Sequence, residues 1–175
     1  MTSRPDSRGA IARFLAVLAA CMGVFYAVAT TETFERRVFE PYLERSARIA
    51  GAILAALGER DVRVRSSSVE SLAYGLNIAR GCDGLEPTAL FVALVLAFPA
   101  PFRRKLWALG FGVPALVALN LVRVVSLFLI GAYHPSLFHP MHVDVWQAVF
   151  VLTAVGFWAT WLRWAGPPGP ADAPA

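Results

Sequence analysis

The chain has 175 residues, of which 57% are hydrophobic and only 16% are charged. Soluble domains carry about 25% charged and 45–50% apolar residues, so this composition indicates an integral membrane protein. The formal net charge of +4 is small, and the basic residues cluster near the ends of apolar segments. That distribution indicates membrane topology and argues against nucleic-acid binding. At this length a single compact domain is expected.

The first apolar segment, residues 11–30, follows a short polar and basic start. It is longer than the hydrophobic region of about 7–15 residues in a signal peptide, and no convincing cleavage site follows it. We therefore predict a first transmembrane helix here. Cys21 lies inside this segment and is expected to behave as a small buried hydrophobic residue.

Residues 34–57 have the pattern of an amphipathic helix on the membrane surface or packed over the bundle. Two sets of apolar residues recur at helical spacing, namely a stripe of Phe34, Val38, Tyr42, Ile49, Ile53 and Leu57, with Phe39, Leu43, Ala50 and Leu54 beside it. The charged residues lie largely off this stripe. The apolar stretch at 49–57 is too short to cross alone, because a span needs about 20 residues.

Residues 61–81 predict two short strands around a Ser-rich turn. Val62 and Val64 alternate with arginines, and a second alternation runs from Leu72 to Ile78. Three further apolar segments, 84–102, 106–133 and 145–164, are predicted to span the membrane. The tail at 166–175 is rich in Pro, Gly and Ala and is predicted to be disordered.

The predicted fold is therefore an all-α integral membrane protein with about four transmembrane helices. The amphipathic helix and a small extracytoplasmic hairpin-like segment complete a single domain at 1–165. Basic residues precede the first span, separate the second from the third and end the last: Arg4, Arg8, Arg13, Arg103, Arg104, Lys105 and Arg163. The positive-inside rule places them, and both termini, in the cytoplasm. Residues 31–83 and 134–144 then lie outside.

Chemically reactive side chains converge at this outer face. Cys82 lies just before the outer end of the second span. Arg123 lies 18 residues beyond Lys105, which is about 27 Å of helix and close to the far side of a roughly 30 Å core. The histidines occupy the loop that follows: His134, His139 and His142. Since the topology was assigned without these residues, their convergence is independent support for a site.

Cys82 has a structural and a catalytic interpretation. It is either a buried structural cysteine in a glycine-flanked turn or a nucleophile. A nearby arginine favours the thiolate, which is the reactive form. Gly81 and Gly84 leave room for a substrate backbone. A zinc site is not indicated, because one cysteine and scattered histidines lack the usual ligand spacing.

Arg123 is costly inside an apolar helix, and an intramembrane charge is by default a candidate functional group. The alternatives are that it reaches towards the interface or pairs with an acid such as Asp83 or Glu86. Asn120 lies three residues earlier on the same helix face and is expected to orient the guanidinium. Among the histidines, His142 is favoured because it directly precedes the last span.

His139 remains a rival to His142, although it precedes a proline in a turn. No CxxC, GxSxG, P-loop or HExxH motif occurs. Nor does the chain have the internal repeats typical of transporters.

These residues resemble the exosortase/archaeosortase family of multi-span membrane cysteine transpeptidases. The family carries a cysteine before one span, an arginine in an NxxR pattern on the next, and a histidine beyond it. Cys82 matches the first, Asn120 with Arg123 the second, and His142 the third. The resemblance covers about residues 60–165. The short chain is similar to the compact exosortase H branch, which is associated with a variant C-terminal sorting signal.

The resemblance implies a bacterial inner-membrane enzyme whose active site faces outside. Its substrates would be exported proteins with a C-terminal sorting motif, a membrane span and a basic end. Cys82 would form a thioester, Arg123 would stabilise developing charge, and His142 would transfer protons, without metal or cofactor. Two alternatives remain open: simple proteolysis with water as acceptor, and a non-catalytic membrane assembly or binding protein for a helical or lipid-linked partner.

Overall fold

The computed structural model describes residues 7–164, so Arg4 and the predicted disordered tail at 166–175 lie outside the described residues. The helices and strands, in chain order, are α1 (Ser7–Ala29), α2 (Glu32–Phe34), α3 (Glu40–Ala56), β1 (Arg63–Arg65), β2 (Ser68–Glu70), β3 (Gly75–Asn77), α4 (Leu85–Ala97), α5 (Phe102–Tyr133), α6 (Pro135–Pro140) and α7 (Trp146–Trp164). A first π turn, Glu35–Phe39, joins α2 to α3, and a second π turn, Met141–Val145, joins α6 to α7. The described chain is therefore mostly helical, as expected for a helical membrane protein.

Within the described range, three helical segments are long and apolar enough to cross a membrane: α1, α5 and the continuous stretch Pro135–Trp164. The second predicted span corresponds to α4, which has only 13 residues, or about 20 Å of helix. It ends at Ala97 because Phe98 precedes a proline and takes an extended backbone with φ −74° and ψ 134°, as residues before proline usually do. The helix is thus shorter than the predicted segment 84–102.

The predicted amphipathic segment is helical from α2 through α3, and one side of it faces the protein. The residues expected beside the stripe are buried, whereas most of the stripe itself is exposed: Phe39, Leu43, Ala50 and Leu54 against Val38, Ile49, Ile53 and Leu57. The buried side packs on α5 and on strands β1 and β2. α3 is therefore a packed element of the bundle with a second apolar side turned outwards.

The segment between α3 and α4 forms a three-stranded antiparallel sheet in the order β1-β2-β3, one strand more than predicted. Val64, Val69 and Leu76 are directly paired across it and face α3. The Ser-rich run was expected to be only a turn. Instead, Ser66 turns the chain with a positive φ of 52°, and β2 begins two residues later.

Helix α4 lies at the centre of the bundle and contacts α1, α5 and α7. Its Phe91 is fully buried, and the ring packs so closely on Gly112 of α5 that a Cβ there would overlap it. Gly110, two residues earlier, has nothing within 4 Å of the position that a Cβ would take. The structure therefore leaves room for a Cβ at Gly110 but not at Gly112.

We expect Gly112→Ala to destabilise the protein by about 1–3 kcal/mol, because the new methyl group overpacks the α4–α5 contact. The matched variant Gly110→Ala should be neutral or slightly stabilising, since alanine is the better helix former. Thermal unfolding of the two detergent-solubilised variants measures the difference. Equal unfolding midpoints would contradict the close α4–α5 packing.

Candidate active site

The turn that carries Cys82 is closed by its own aspartate. One carboxylate oxygen of Asp83 accepts a hydrogen bond from the Gly81 amide at 2.9 Å, and the other accepts from the Leu85 amide at 2.7 Å. Gly81 and Gly84 have positive φ values of 89° and 72°, a backbone region that glycine enters without steric cost. The glycines flanking Cys82 therefore shape this turn, and Asp83 holds it.

Residues of two neighbouring helices, α3 and α5, contact the Cys82 turn. The Tyr42 hydroxyl on α3 donates a hydrogen bond to the Asp83 backbone carbonyl at 2.7 Å. Burial raises the pKa of Tyr42, so the hydroxyl stays protonated and available as a donor. On α5, Asn120 lies directly under Gly84, where a Cβ would come within 3.1 Å of its side chain. Sequence reasoning placed Tyr42 only in an apolar stripe and missed this contact.

His142 is the histidine that meets Cys82. The Cys82 Sγ lies 3.3 Å from Nδ1 of His142 and 3.6 Å from Nε2. The imidazole stacks on the Phe138 ring, with centroids 5.6 Å apart and planes 13° apart. It belongs to the second π turn, a kind of irregularity often found at functional sites. Among residues 7–164, no hydrogen bond joins Cys82 to His139.

Arg123 is 3% exposed and holds the backbone at His142. One terminal guanidinium nitrogen donates to the His142 carbonyl at 3.2 Å, and the group lies 5.7 Å above the centre of the Phe150 ring. The described residues show no ion pair between Arg123 and Asp83 or Glu86, the alternative that the sequence left open. The positive charge of Arg123 is therefore not paired with either of these two carboxylates.

Asn120 does not make the contact expected from its spacing. The residue is 1% exposed, and neither atom of its amide group has a hydrogen-bond partner in the described part of the chain. It therefore does not orient the Arg123 guanidinium by a hydrogen bond. Instead it packs under the Cys82 turn, close enough to the Tyr42 hydroxyl to influence its ionisation.

The ionisation of Cys82 differs from the sequence expectation. Burial raises the pKa of the thiol above its ordinary value, the positive charge of Arg123 lowers it, and the negative charge of Asp83 raises it. Arg123 thus acts in the expected direction, but burial outweighs it. The resting group at neutral pH is mainly the thiol, and the nearest group able to take its proton is His142. Cys82 and Cys21 are both free.

The fold and the site together define a helical membrane protein with a cysteine–histidine pair and a buried arginine at one end of its bundle. The family model described as transmembrane exosortase matches residues 8–165. The chain therefore belongs to the transmembrane exosortase family, which agrees with the resemblance found in its motifs. No curated protein and no solved structure matches the chain significantly.

We expect alkylation of Cys82 by a soluble maleimide, in a Cys21→Ser background, to accelerate as pH rises past the pKa of an ordinary thiol. The thiolate is the reacting form, and burial delays its formation. Arg123→Gln removes the charge that lowers this pKa, so its rate profile should shift to still higher pH. Arg123→Gln should therefore also be labelled more slowly than its parent at neutral pH, because a smaller fraction of the thiol is ionised.

Arg123→Lys, which keeps the charge, should stay near the parent profile and controls for the loss of packing. Arg80→Gln also removes one positive charge, in the turn that carries Cys82, but Arg80 is not among the charges that shift the pKa of this thiol. The rate profile of Arg80→Gln should therefore match that of the parent. Identical profiles for Arg123→Gln and its parent would contradict the electrostatic link.

Proposed function

We propose that the protein is a membrane cysteine transpeptidase. It cleaves the C-terminal sorting signals of exported proteins and transfers the cleaved proteins to an acceptor. The observation that carries the proposal is the contact between Cys82 Sγ and His142 Nδ1 at 3.3 Å. A thiol within reach of an imidazole is the arrangement of an activated nucleophile. Membership of the transmembrane exosortase family supports the same reaction class.

The reaction follows from the three side chains. His142 takes the thiol proton as Sγ attacks the scissile carbonyl carbon and forms a tetrahedral intermediate. Its collapse breaks the carbon–nitrogen bond, His142 protonates the departing amine, and the substrate remains as a thioester on Cys82. His142 then deprotonates the acceptor nucleophile, which attacks the thioester and releases the free thiol. With water as acceptor, the same steps give hydrolysis.

Arg123 supplies fixed positive charge to the intermediates. It is near enough to lower the pKa of the Cys82 thiol, so it also favours the negative oxygen that develops when Cys82 attacks. Its hydrogen bond to the His142 carbonyl holds it in place before the reaction starts. A buried, preorganised charge of this kind stabilises a transition state more than it would in water.

The proposed location is the bacterial inner membrane, with both termini in the cytoplasm and Cys82 facing outside. In support, the basic residues 103–105 belong to the start of α5, away from Arg123 and the Cys82 turn. There, the Trp161 indole donates to the Arg104 carbonyl at 3.0 Å. The proposed partners are exported proteins whose C-terminal motif is followed by a membrane span and a basic end.

The first test is co-expression with a tagged exported reporter that ends in such a sorting tail. We expect wild-type protein to remove the tail and Cys82→Ser to leave the reporter intact, with equal amounts of both proteins in the membrane. The mass of the processed reporter distinguishes a transferred acceptor from water. Processing that persists in Cys82→Ser would refute a thiol enzyme and would make Cys82 a structural residue.

The second test separates the two candidate histidines. His142→Ala should lower the processing rate by a factor of about 10²–10⁴, the usual contribution of a general acid–base. His139→Ala should retain most of the activity, because His139 lies on the exposed side of α6 without a hydrogen bond to Cys82. Single-turnover rates with the reporter measure both variants. A greater loss in His139→Ala than in His142→Ala would reassign the proton carrier.

A further inference from the structure

An apolar groove runs along the surface of the bundle between α1 and α4, and we call it the α1–α4 groove. It has a volume of about 590 Å³. Its walls include residues of α1, the first π turn and α4: Cys21, Val24, Val38, Leu85, Ala89 and Val92. The lining is almost wholly apolar, and one of its walls is α1, which is long and apolar enough to cross a membrane.

A smaller cavity of about 160 Å³ adjoins the groove at the Cys82 end. The two share Phe25, Phe34 and Leu85, so they lie next to each other on the surface. The cavity also contains the polar residues Arg80 and Glu86. The surface therefore changes from apolar to charged along its length, in the same order as a polypeptide that leaves a membrane.

The cavity reaches the turn that carries Cys82, although Cys82 itself is not among its lining residues. Gly81 and Asp83, the neighbours of Cys82 in the chain, line it. A Cβ on Gly81 would meet nothing within 4 Å, so the turn presents open backbone at this point. Arg80 is held across the cavity wall by Glu35, by the Ala29 carbonyl at the end of α1 and by the Phe39 ring.

We propose that the α1–α4 groove docks a membrane-spanning helix of the substrate, whose preceding residues pass through the polar cavity and over Gly81 to Cys82. This rests on the proposed function, which requires a peptide carbonyl at Sγ. Small side chains such as Cys21 and Ala89 allow a second helix to approach closely. A polypeptide is favoured over a lipid because the polar cavity reaches the turn at 80–84, where the proposed function requires a peptide carbonyl.

Two other apolar cavities do not connect to the Cys82 turn. One lies between α5 and α7 and is lined by Trp107 and Trp164, near the end of the bundle that carries residues 103–105. The other lies between α3 and α5 and is lined by Ile53 and Val122. Neither contains a residue of the turn at 80–84. The α1–α4 groove, by contrast, adjoins a cavity that Gly81 and Asp83 of this turn line.

The native Cys21 provides the test. In Cys82→Ala, which binds without turnover, Cys21 is the remaining thiol and lies in the groove. Reporter tails with single cysteines at successive positions of their membrane span are co-expressed and treated with an oxidant. We expect disulfides to Cys21 at helical periodicity along the span. In the matched control, Cys21→Ser, Cys82→Ala and Val122→Cys are combined, and no such pattern is expected.

Activity gives a second measurement. Ala89→Trp fills the groove and should raise the reporter concentration needed for half-maximal processing at least tenfold. Ala118→Trp, the same change in the α3–α5 cavity, should leave it unchanged. Disulfides to Val122→Cys but not to Cys21, with intact processing by wild type, would contradict docking in the α1–α4 groove. That result would leave the proposed function in place.

Two further outcomes are equally decisive. Disulfides to neither cysteine, with an active wild type and an unaffected Ala89→Trp, would mean that lipid fills the groove and that the docking proposal is wrong. Periodic disulfides to Cys21 without any processing by wild type would support docking and overturn the proposed enzyme.

Discussion

The hydrogen bond from Arg123 to the His142 carbonyl joins the two halves of the candidate site. Arg123 belongs to the middle of a long helix, and His142 belongs to an irregular turn beyond the end of that helix. A guanidinium buried to this extent is costly unless protein groups accept its protons. The His142 carbonyl accepts one of these protons, whereas Nε of Arg123 has no hydrogen-bond partner among residues 7–164. The same bond holds the second π turn against α5, where the imidazole lies beside Cys82 and stacks on Phe138.

The Cys82 turn is held by a separate set of hydrogen bonds that does not involve Arg123. Asp83 satisfies two backbone amides with one carboxylate, and Tyr42 then binds the carbonyl of the same residue. The amphipathic helix α3 is therefore part of the support of the site. Cys82 and His142 belong to separate elements, each held by its own hydrogen bonds. Such support keeps reacting groups within a few tenths of an ångström of a productive geometry.

Much of this arrangement is readable from the sequence, because long apolar segments and isolated charges are strong signals in membrane proteins. The helical architecture and the family were predicted correctly, and Cys82, Arg123 and His142 were expected at one end of the bundle, where the structure brings them together. What escaped prediction depends on long-range contacts. The bond from Tyr42 spans 41 positions in the chain and has no local pattern. The additional strand, β2, follows a positive φ of 52° at Ser66 that the residue pattern does not indicate. The pKa of Cys82 depends on burial, which residue spacing does not reveal.

The unequal lengths of α4 and α5 have a consequence for the approach to Cys82. Gly84, at the start of α4, rests on Asn120, and α5 continues from there to Tyr133, about 20 Å further at 1.5 Å per residue. Residues just outside the strands contact this extension, with the Tyr74 ring against Gly131 and the Tyr133 hydroxyl donating to Glu59. The protein is therefore taller on the α5 side of the Cys82 turn than on the α4 side. A substrate of the proposed reaction would meet less protein on the α4 side, which is the side of the α1–α4 groove.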